Sequence, residues 1–358
     1  MVNSLFPQNF FLYTFLAIVV SLLFAPLSIK LANRMGLVDI PGKSAHKTHV
    51  HPTPLAGGTT LFASLLVLIS LFGFWREPFV RSLAASAGVV YLFGLWDDLR
   101  GLSALPKLTG QALASLLLVS SGVSVHFVES VRPAFLSPAF ISGFDLGFTF
   151  LWLIGMTNAM NMIDSMDGLA AGLSAIAFLF FLPVTLASGQ VHLTAVSVIL
   201  LGVCVGLYFF NITPARLFLG DSGAQTLGFI VASIAMAYAP VGLRPTTSWF
   251  VPILLLSVPV FDTTLVTISR LRRKLPFYKA NRDHVYHRLV HLGLSPLRAV
   301  MVIHLAAVLI DCLAFVALSL SPLWANLIFG GLVLAGAASI FWLDGKDRFP
   351  SQPAAVEA

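Results

Sequence analysis

Charge is what this sequence has least of. Only 10% of its residues are Asp, Glu, Lys or Arg, where an average soluble domain carries about 25%. A chain of 358 residues with so few charges cannot cover a water-facing surface, which excludes an ordinary soluble globular fold. Glutamate is nearly absent, with three in the whole chain, so almost every carboxylate is an aspartate. The two cysteines, Cys204 and Cys312, both fall inside apolar runs. Neither a disulfide framework nor a thiolate zinc site follows from them, and they read as small core residues. No internal repeat, low-complexity stretch or soluble domain is visible. The expectation is a single transmembrane domain over 1–358 with a short mobile tail from about 345.

What fills the chain instead is apolar sequence, 58% by composition. Runs of roughly 20 residues recur from end to end, the length that crosses a hydrocarbon core about 30 Å thick. They predict an all-α polytopic membrane protein of about 11 transmembrane helices. The predicted spans are roughly 11–29, 55–74, 82–96, 108–125, 146–163, 169–188, 191–210, 223–240, 249–268, 298–318 and 323–343. The first lacks a basic start and is followed by Pro26 and Lys30 rather than a small-residue cleavage site, so it is read as a span and not as a secretory signal.

The net charge of +6 fits topology better than nucleic-acid binding. Loops at 30–54, 97–107, 164–168, 211–222 and 269–298, with the tail, hold 17 of the 21 Lys and Arg. Arg76, Arg81, Arg132 and Arg244 fall on the other side. The positive-inside rule places the first set in the cytoplasm, with the N-terminus outside and the C-terminus cytoplasmic.

Asp97, Asp98, Asp164, Asp167 and Asp221 all lie where an apolar run meets one of these loops. An ionised group near lipid is expensive. One such residue is an ordinary helix-end charge; five at one face suggest a polar cavity. The adjacent pair Asp97-Asp98 repels itself, and a bound cation or a raised pKa is the natural way to hold both; Lys107 follows nine residues later. In Asn158-x-x-Asn161-x-x-Asp164 a helix would put both amides and the carboxylate on one face, with Asp167-Gly168 next. A polar helix–helix contact is the bland alternative, but it would not ordinarily need two Asp as well. Phe218-Leu-Gly-Asp221-Ser-Gly follows Asn211, and its glycines allow close backbone approach. Asp221 suits a hard cation, since Mg²⁺ takes one or two carboxylates plus phosphate oxygens and water. The large basic loop carries His284-x-x-His287-Arg288, suited to phosphate binding or proton donation. The first loop holds Lys47 among three His; their spacing matches no usual zinc pattern, and a basic loop facing phosphates is the better reading.

In this order the pieces resemble the polyprenyl-phosphate N-acetylhexosamine-1-phosphate transferases, membrane enzymes that begin bacterial cell-envelope glycan assembly. The resemblance runs from about Asp39 to His291. His284-Val-Tyr-His287-Arg-Leu is closer to the H-x-H-H-R-L of the branch using UDP-N-acetylglucosamine than to the three successive His of the muramoyl-pentapeptide branch, although Tyr286 stands where that motif has His. Ser165 also replaces the usual Gly of the D-G-x-D-G run.

The resemblance implies transfer of a sugar 1-phosphate, N-acetylglucosamine 1-phosphate first, from a UDP-sugar to undecaprenyl phosphate, releasing UMP. Muramoyl-pentapeptide transfer is the alternative. It further implies Mg²⁺, or Mn²⁺ in its place, on Asp221 with Asp98. Asp97 and Asp98 would orient the acceptor phosphate or accept its proton. Asn161, Asp164, Asp167, Asn211 and Phe218 would line the uridine and diphosphate region, and His284, His287 and Arg288 would hold the donor. Lys47 and Lys107 are further phosphate ligands. The implied setting is the bacterial inner membrane, multi-pass, with the active site facing the cytoplasm, no nucleic-acid partner, and a homodimer as one arrangement. A transporter is the reading from a different class. Asp262 and Asp311, inside apolar runs, would serve it, but the main carboxylates gather at one face rather than at mid-membrane.

Overall fold

A computed structural model describes residues 9–41, 51–125, 136–240, 245–275 and 283–346. Lys47 and most of the first basic loop, part of the last one, and the tail expected to be mobile lie outside the described residues.

The described chain is helical almost throughout. The long helices are α1 (Phe10–Met35), α2 (Gly57–Leu71), α3 (Pro78–Arg100), α4 (Ala104–Ser120), α5 (Pro138–Ile163), α6 (Leu169–Ala187), α7 (Val191–Asn211) and α8 (Gly220–Ala237). Three short or broken pieces follow, α9 (Pro245–Ser248), α10 (Val251–Leu255) and α11 (Ser257–Arg273). The loop helix α12 (Val285–His291) precedes α13 (Pro296–Ala317) and α14 (Pro322–Lys346). Seven of these are long and apolar enough to cross a membrane, α1, α3, α5, α6, α7, α13 and α14, and α2 and α4 are shorter apolar helices. The one small sheet pairs β1 (Val38–Asp39) antiparallel with β2 (Thr53–Pro54), a feature no periodicity in the sequence announces.

Local sequence sets the helix ends. α1 stops at Gly36, whose left-handed conformation lets its N–H donate to the carbonyls of Ala32 and Asn33. α5 starts where the Ser137 hydroxyl accepts the Phe140 N–H and Pro138 takes the first helical position. Ser295 and Pro296 start α13 in the same way. The apolar run predicted at 82–96 is longer than expected at both ends, since Pro78 begins its helix and Arg100 ends it. The run predicted as one span over 249–268 is broken at Leu256. Pro259 explains the break, because it has no N–H to donate to the Leu255 carbonyl one turn earlier.

Helices α6 and α7 form the middle of the bundle, with 61% and 72% of their apolar stretches buried, against 17% for α1 and 11% for α14. The outer helices point Phe11, Leu105 and Leu334 outward, as a lipid-facing surface requires. Small residues set the closest crossing. Ala17, Ser21, Ala25, Ser28 and Ala32 form the buried face of α1, and Gly202 and Gly206 of α7 meet it. A Cβ on Gly206 would stand 2.6 Å from the Ser21 Cβ. The Ser21 hydroxyl also donates to the Val203 carbonyl at 3.0 Å. Close backbone approach of this kind is how helices associate without a hydrophobic driving force.

Candidate active site

The ends of α3, α5 and α7 and the starts of α4 and α8 come together at one end of the bundle. The Lys107 ammonium, in the first turn of α4, sits between two carboxylates. It pairs with Asp97 and with Asp221 at 2.5 Å. Asp97 also accepts the Leu102 N–H at 2.5 Å, which folds the α3–α4 turn over it. The other Asp221 oxygen accepts from the Asn161 amide at 3.0 Å. Four separate stretches therefore meet within hydrogen-bond distance of one another.

Asp98 does something different from its neighbour. Its carboxylate accepts the Asp221 N–H at 2.8 Å, the Ser222 N–H at 3.1 Å and the Ser222 hydroxyl at 2.6 Å. It thus caps the N-terminus of α8 from another helix, where the orphan N–H groups and the dipole favour an anion. Consecutive residues on a helix point about 100° apart, so the pair is split between two tasks. Of the two means expected to hold the pair, a cation or a raised pKa, a cation serves Asp97, through Lys107, while Asp98 is held by the donors of the first turn of α8. Gly220 is required by this contact. Its φ is +69°, and a Cβ there would stand 2.7 Å from an Asp98 oxygen. Gly94, one turn earlier on α3, lets the helix lie against the Ser222 backbone, where a Cβ would be 2.6 Å away.

Asp164 lies in the loop that follows α5. Burial first, then the charges of Asp221, Asp167 and Asp98, hold its carboxyl well above the usual carboxylate range. A cation brought to this point would relieve that repulsion. Asp167 accepts the Thr213 hydroxyl at 3.2 Å. Asn211 is buried. Its amide accepts the Gly168 N–H at 3.1 Å and donates to the Leu217 carbonyl at 3.1 Å, so it clamps the two loops that carry Asp167 and Phe218. The Phe218 backbone ties down the start of α2, its carbonyl accepting the N–H groups of Ala56 and Gly57.

The His segment stands beside this cluster. His284 Nδ1 is 2.6 Å from one oxygen of Asp262, and the other accepts the Val285 N–H at 2.8 Å. Asp262 is 1% exposed, so α11 fixes how α12 begins. Tyr286 stacks edge-on against His287 at 5.1 Å between centroids. Its hydroxyl is held above its ordinary range by burial and, second, by the Asp167 charge. Arg288 is buried. It donates to the Asp283 carbonyl at 2.8 Å and the Ser269 hydroxyl at 3.0 Å and lies 3.7 Å from Asp344. These contacts tie α11, α12 and α14 together and turn the guanidinium inward.

Sequence reasoning named Asp97, Lys107, Asn161 and Asp221, and the structure brings them into contact. It missed Gln111 and Gln225. Gln111 donates to Gln225 at 3.0 Å and accepts from Asn158 at 2.7 Å, and Gln225 lies 3.4 Å from Asp221. The signal was present: Gln111 is four residues after Lys107 and Gln225 four after Asp221, each one turn along the same face. Asp262 was noticed only as an intramembrane charge, without the partner that gives it a role.

Hard carboxylate oxygens are the donor class that Mg²⁺ takes, and the positive charge they need is supplied here by Lys107. Among the described residues no three His, Cys, Asp or Glu close into a metal cage.

Comparison with known proteins gives a consistent set of matches. Residues 80–239 match the model of glycosyl transferase family 4. A Bacillus subtilis protein named a probable undecaprenyl-phosphate N-acetylglucosaminyl 1-phosphate transferase is 32% identical over 87% of this chain and 86% of its own. A Mycobacterium tuberculosis decaprenyl-phosphate N-acetylglucosaminephosphotransferase is 30% identical over 87% and 83%. A phospho-N-acetylmuramoyl-pentapeptide-transferase from Lacticaseibacillus paracasei matches less of the chain, 27% identical over 62% and 73%.

Proposed function

Because the chain belongs to glycosyl transferase family 4, we propose that it transfers N-acetylglucosamine 1-phosphate from UDP-N-acetylglucosamine to undecaprenyl phosphate. An oxygen of the acceptor phosphate attacks the sugar-bearing phosphorus of the donor. The bond from that phosphorus to the UMP oxygen breaks, and undecaprenyl-diphosphate N-acetylglucosamine and UMP are the products. The observation that carries this reading is the Asp97–Lys107–Asp221–Asn161 contact cluster with Asp164 beside it, a carboxyl that burial and the neighbouring carboxylates hold above the usual range and that a bound cation would let ionise.

The chemistry brings two anionic phosphates together, so positioning and charge compensation are the main tasks. Lys107 supplies a cation at the centre of the cluster and is held there by two carboxylates. Asp221 would hold Mg²⁺, or Mn²⁺ in its place, with Asp164 rather than the Asp98 expected from the sequence, whose oxygens are taken up at the start of α8; when bound the ion would offset charge on the phosphate oxygens. Asp98 holds the first turn of α8 and so sets where Asp221 points. His284, oriented by Asp262, and His287 lie on the α12 side, where the donor diphosphate would rest. A lipid phosphate is already largely ionised at neutral pH, so a strong general base is not required of any Asp. The excess of Lys and Arg in the loops at this end puts the site on the cytoplasmic face. There the acceptor's tail stays in the bilayer while its phosphate reaches the pocket. About eleven crossings, with the outer N-terminus and inner C-terminus that follow, complete the topology.

The N-acetylglucosamine branch is favoured over the muramoyl-pentapeptide branch by the relatives named for it, which match more of the chain at higher identity; Tyr286 departs from the histidine pattern of both branches. The test is incubation of purified protein in detergent with Mg²⁺, undecaprenyl phosphate and a panel of labelled UDP-sugars. Label should pass to the organic phase, most from UDP-N-acetylglucosamine, with UMP released in equal amount. No lipid-linked label from any donor would overturn the reading.

A further inference from the structure

Asp311 is the carboxylate that the site above does not use. It lies deep in α13, 1% exposed, and neither of its oxygens has a hydrogen-bond partner among the described residues. It lines a cavity between α6, α11 and α13, with Ser174 and Ser257 on the same wall. The hydroxyls of both serines are also buried and unpartnered among the described residues. Elsewhere in the bundle buried serines commonly return their hydrogen to the carbonyl four residues back, as Ser115, Ser197 and Ser233 do. Ser174 and Ser257 do not.

The backbone at the cavity is broken as well. Leu255, Leu256, Ser257, Val258 and Pro259 line it, and this is where α10 gives way to α11. Pro259 cannot donate to the Leu255 carbonyl, so that oxygen loses its helical partner. Irregular backbone at membrane depth is tolerated where it lines a polar cavity, and broken helices are where transport proteins coordinate small ions. The space admits the centre of a water-sized sphere over about 10 Å³, which is room for about one water or one ion.

A buried carboxylate without a partner must be neutralised by a proton, a fixed cation or a bound one. No Lys, Arg or His among the described residues pairs with Asp311. Two unpartnered hydroxyls and the broken backbone at Leu255 line the same cavity as Asp311, and their oxygens are of the hard-ligand class, which a proton alone would not require. A single charge cancels the carboxylate, whereas a divalent ion would leave net positive charge in the interior. We propose that Asp311, Ser174, Ser257 and the Leu255 carbonyl form a buried site for one small monovalent cation, with Na⁺ as the fitting size. The ion joins α6, the broken α11 and α13 behind the active site. The proposal does not depend on the transferase reading.

The test is thermal unfolding of the full-length protein in detergent, titrated with NaCl against choline chloride at constant ionic strength. The melting temperature of the wild type should rise saturably with Na⁺ and not with choline, and Asp311→Asn should abolish the Na⁺-dependent rise. Ser257→Ala, which keeps the carboxylate, should raise the half-saturating Na⁺ concentration roughly tenfold, the factor of one contact to a charged group; this variant carries the test if Asp311→Asn fails to fold. Binding of ²²Na⁺ to the purified wild type, lost in Asp311→Asn and weakened in Ser257→Ala, should agree. Equal stability in Na⁺ and choline would mean that Asp311 is simply a neutral acid, and would overturn the proposal. So would an unchanged Na⁺ response in Asp311→Asn or Ser257→Ala.

Discussion

Two neighbouring aspartates show how much of the site is decided residue by residue. Asp97 faces Lys107, and Asp98 faces the first turn of α8. Their substitutions should therefore fail differently. Asp98→Ala removes a cap whose loss typically costs about 1–2 kcal/mol, so the melting temperature should fall together with turnover. Asp221→Asn removes the charge that pairs with Lys107 and turns one acceptor oxygen into a donor facing a donor, but leaves the cap of α8 in place. Its melting temperature should fall less than that of Asp98→Ala while turnover is lost outright. Paired melting and activity measurements separate the two. A cold-stable Asp98→Ala with normal melting would refute the capping role.

The same scale shows what could be read from sequence. Charged residues at the edge of apolar runs stand out because their burial is expensive, and this is why Asp97, Asp164 and Asp221 were found together, with Asn161 added by its spacing to Asp164. Gln111 and Gln225 carry no charge, and an amide in a span reads as an ordinary helix contact. The division of labour between Asp97 and Asp98 depends on which helix lies opposite each, which no local spacing reports. Asn211 and Arg288 were expected to touch substrate. The structure buries both in backbone and side-chain contacts that hold loops in place.

At the scale of elements, backbone approach positions the chemistry. α3 and α8 touch through Gly94 and the Ser222 backbone, and that contact sets the distance from Asp97 and Asp98 to Asp221. Gly94→Ala places a methyl group where the α8 backbone now lies. Overpacking of this kind costs about 1–3 kcal/mol, and here the displaced atoms belong to the catalytic turn. Turnover should fall by a larger factor than the same loss of stability produces at a crossing farther along the bundle, for which Gly202→Ala, against Ala17, is the control. Equal activity in the two variants at equal melting temperature would remove the argument. Most helices were legible as apolar runs, with ends fixed by Gly36, Ser137-Pro138 and Ser295-Pro296. The break at Leu256 was not, although Pro252 and Pro259 stand in the sequence. An apolar run hides a proline when hydropathy alone is averaged. The β1–β2 pair was equally hidden, since two residues per strand carry no periodicity.

For the whole molecule, the distribution of charge and the convergence of the helix ends make the same statement. Asp97, Lys107 and Asp221 come from loops of the Lys- and Arg-rich set and Asn161 from the last turn of α5 beside one of them, so the reading expects one face of the membrane for all of them. In a variant without Cys204 and Cys312, a single cysteine at the exposed Ser165 should react with a membrane-impermeant maleimide in inverted inner-membrane vesicles and not in intact spheroplasts. Labelling from the outside would reverse the orientation.

The central claim is that aspartates distant in sequence form one cation-dependent phosphate pocket. Mn²⁺ binding, followed by electron paramagnetic resonance on purified protein with UDP-N-acetylglucosamine present, tests it most directly. The wild type should take up Mn²⁺ in a donor-dependent manner, and Asp221→Asn should weaken that uptake by roughly tenfold or more, the scale of losing one charged ligand. Mn²⁺ bound equally well by Asp221→Asn, with the same dependence on donor, would contradict the account.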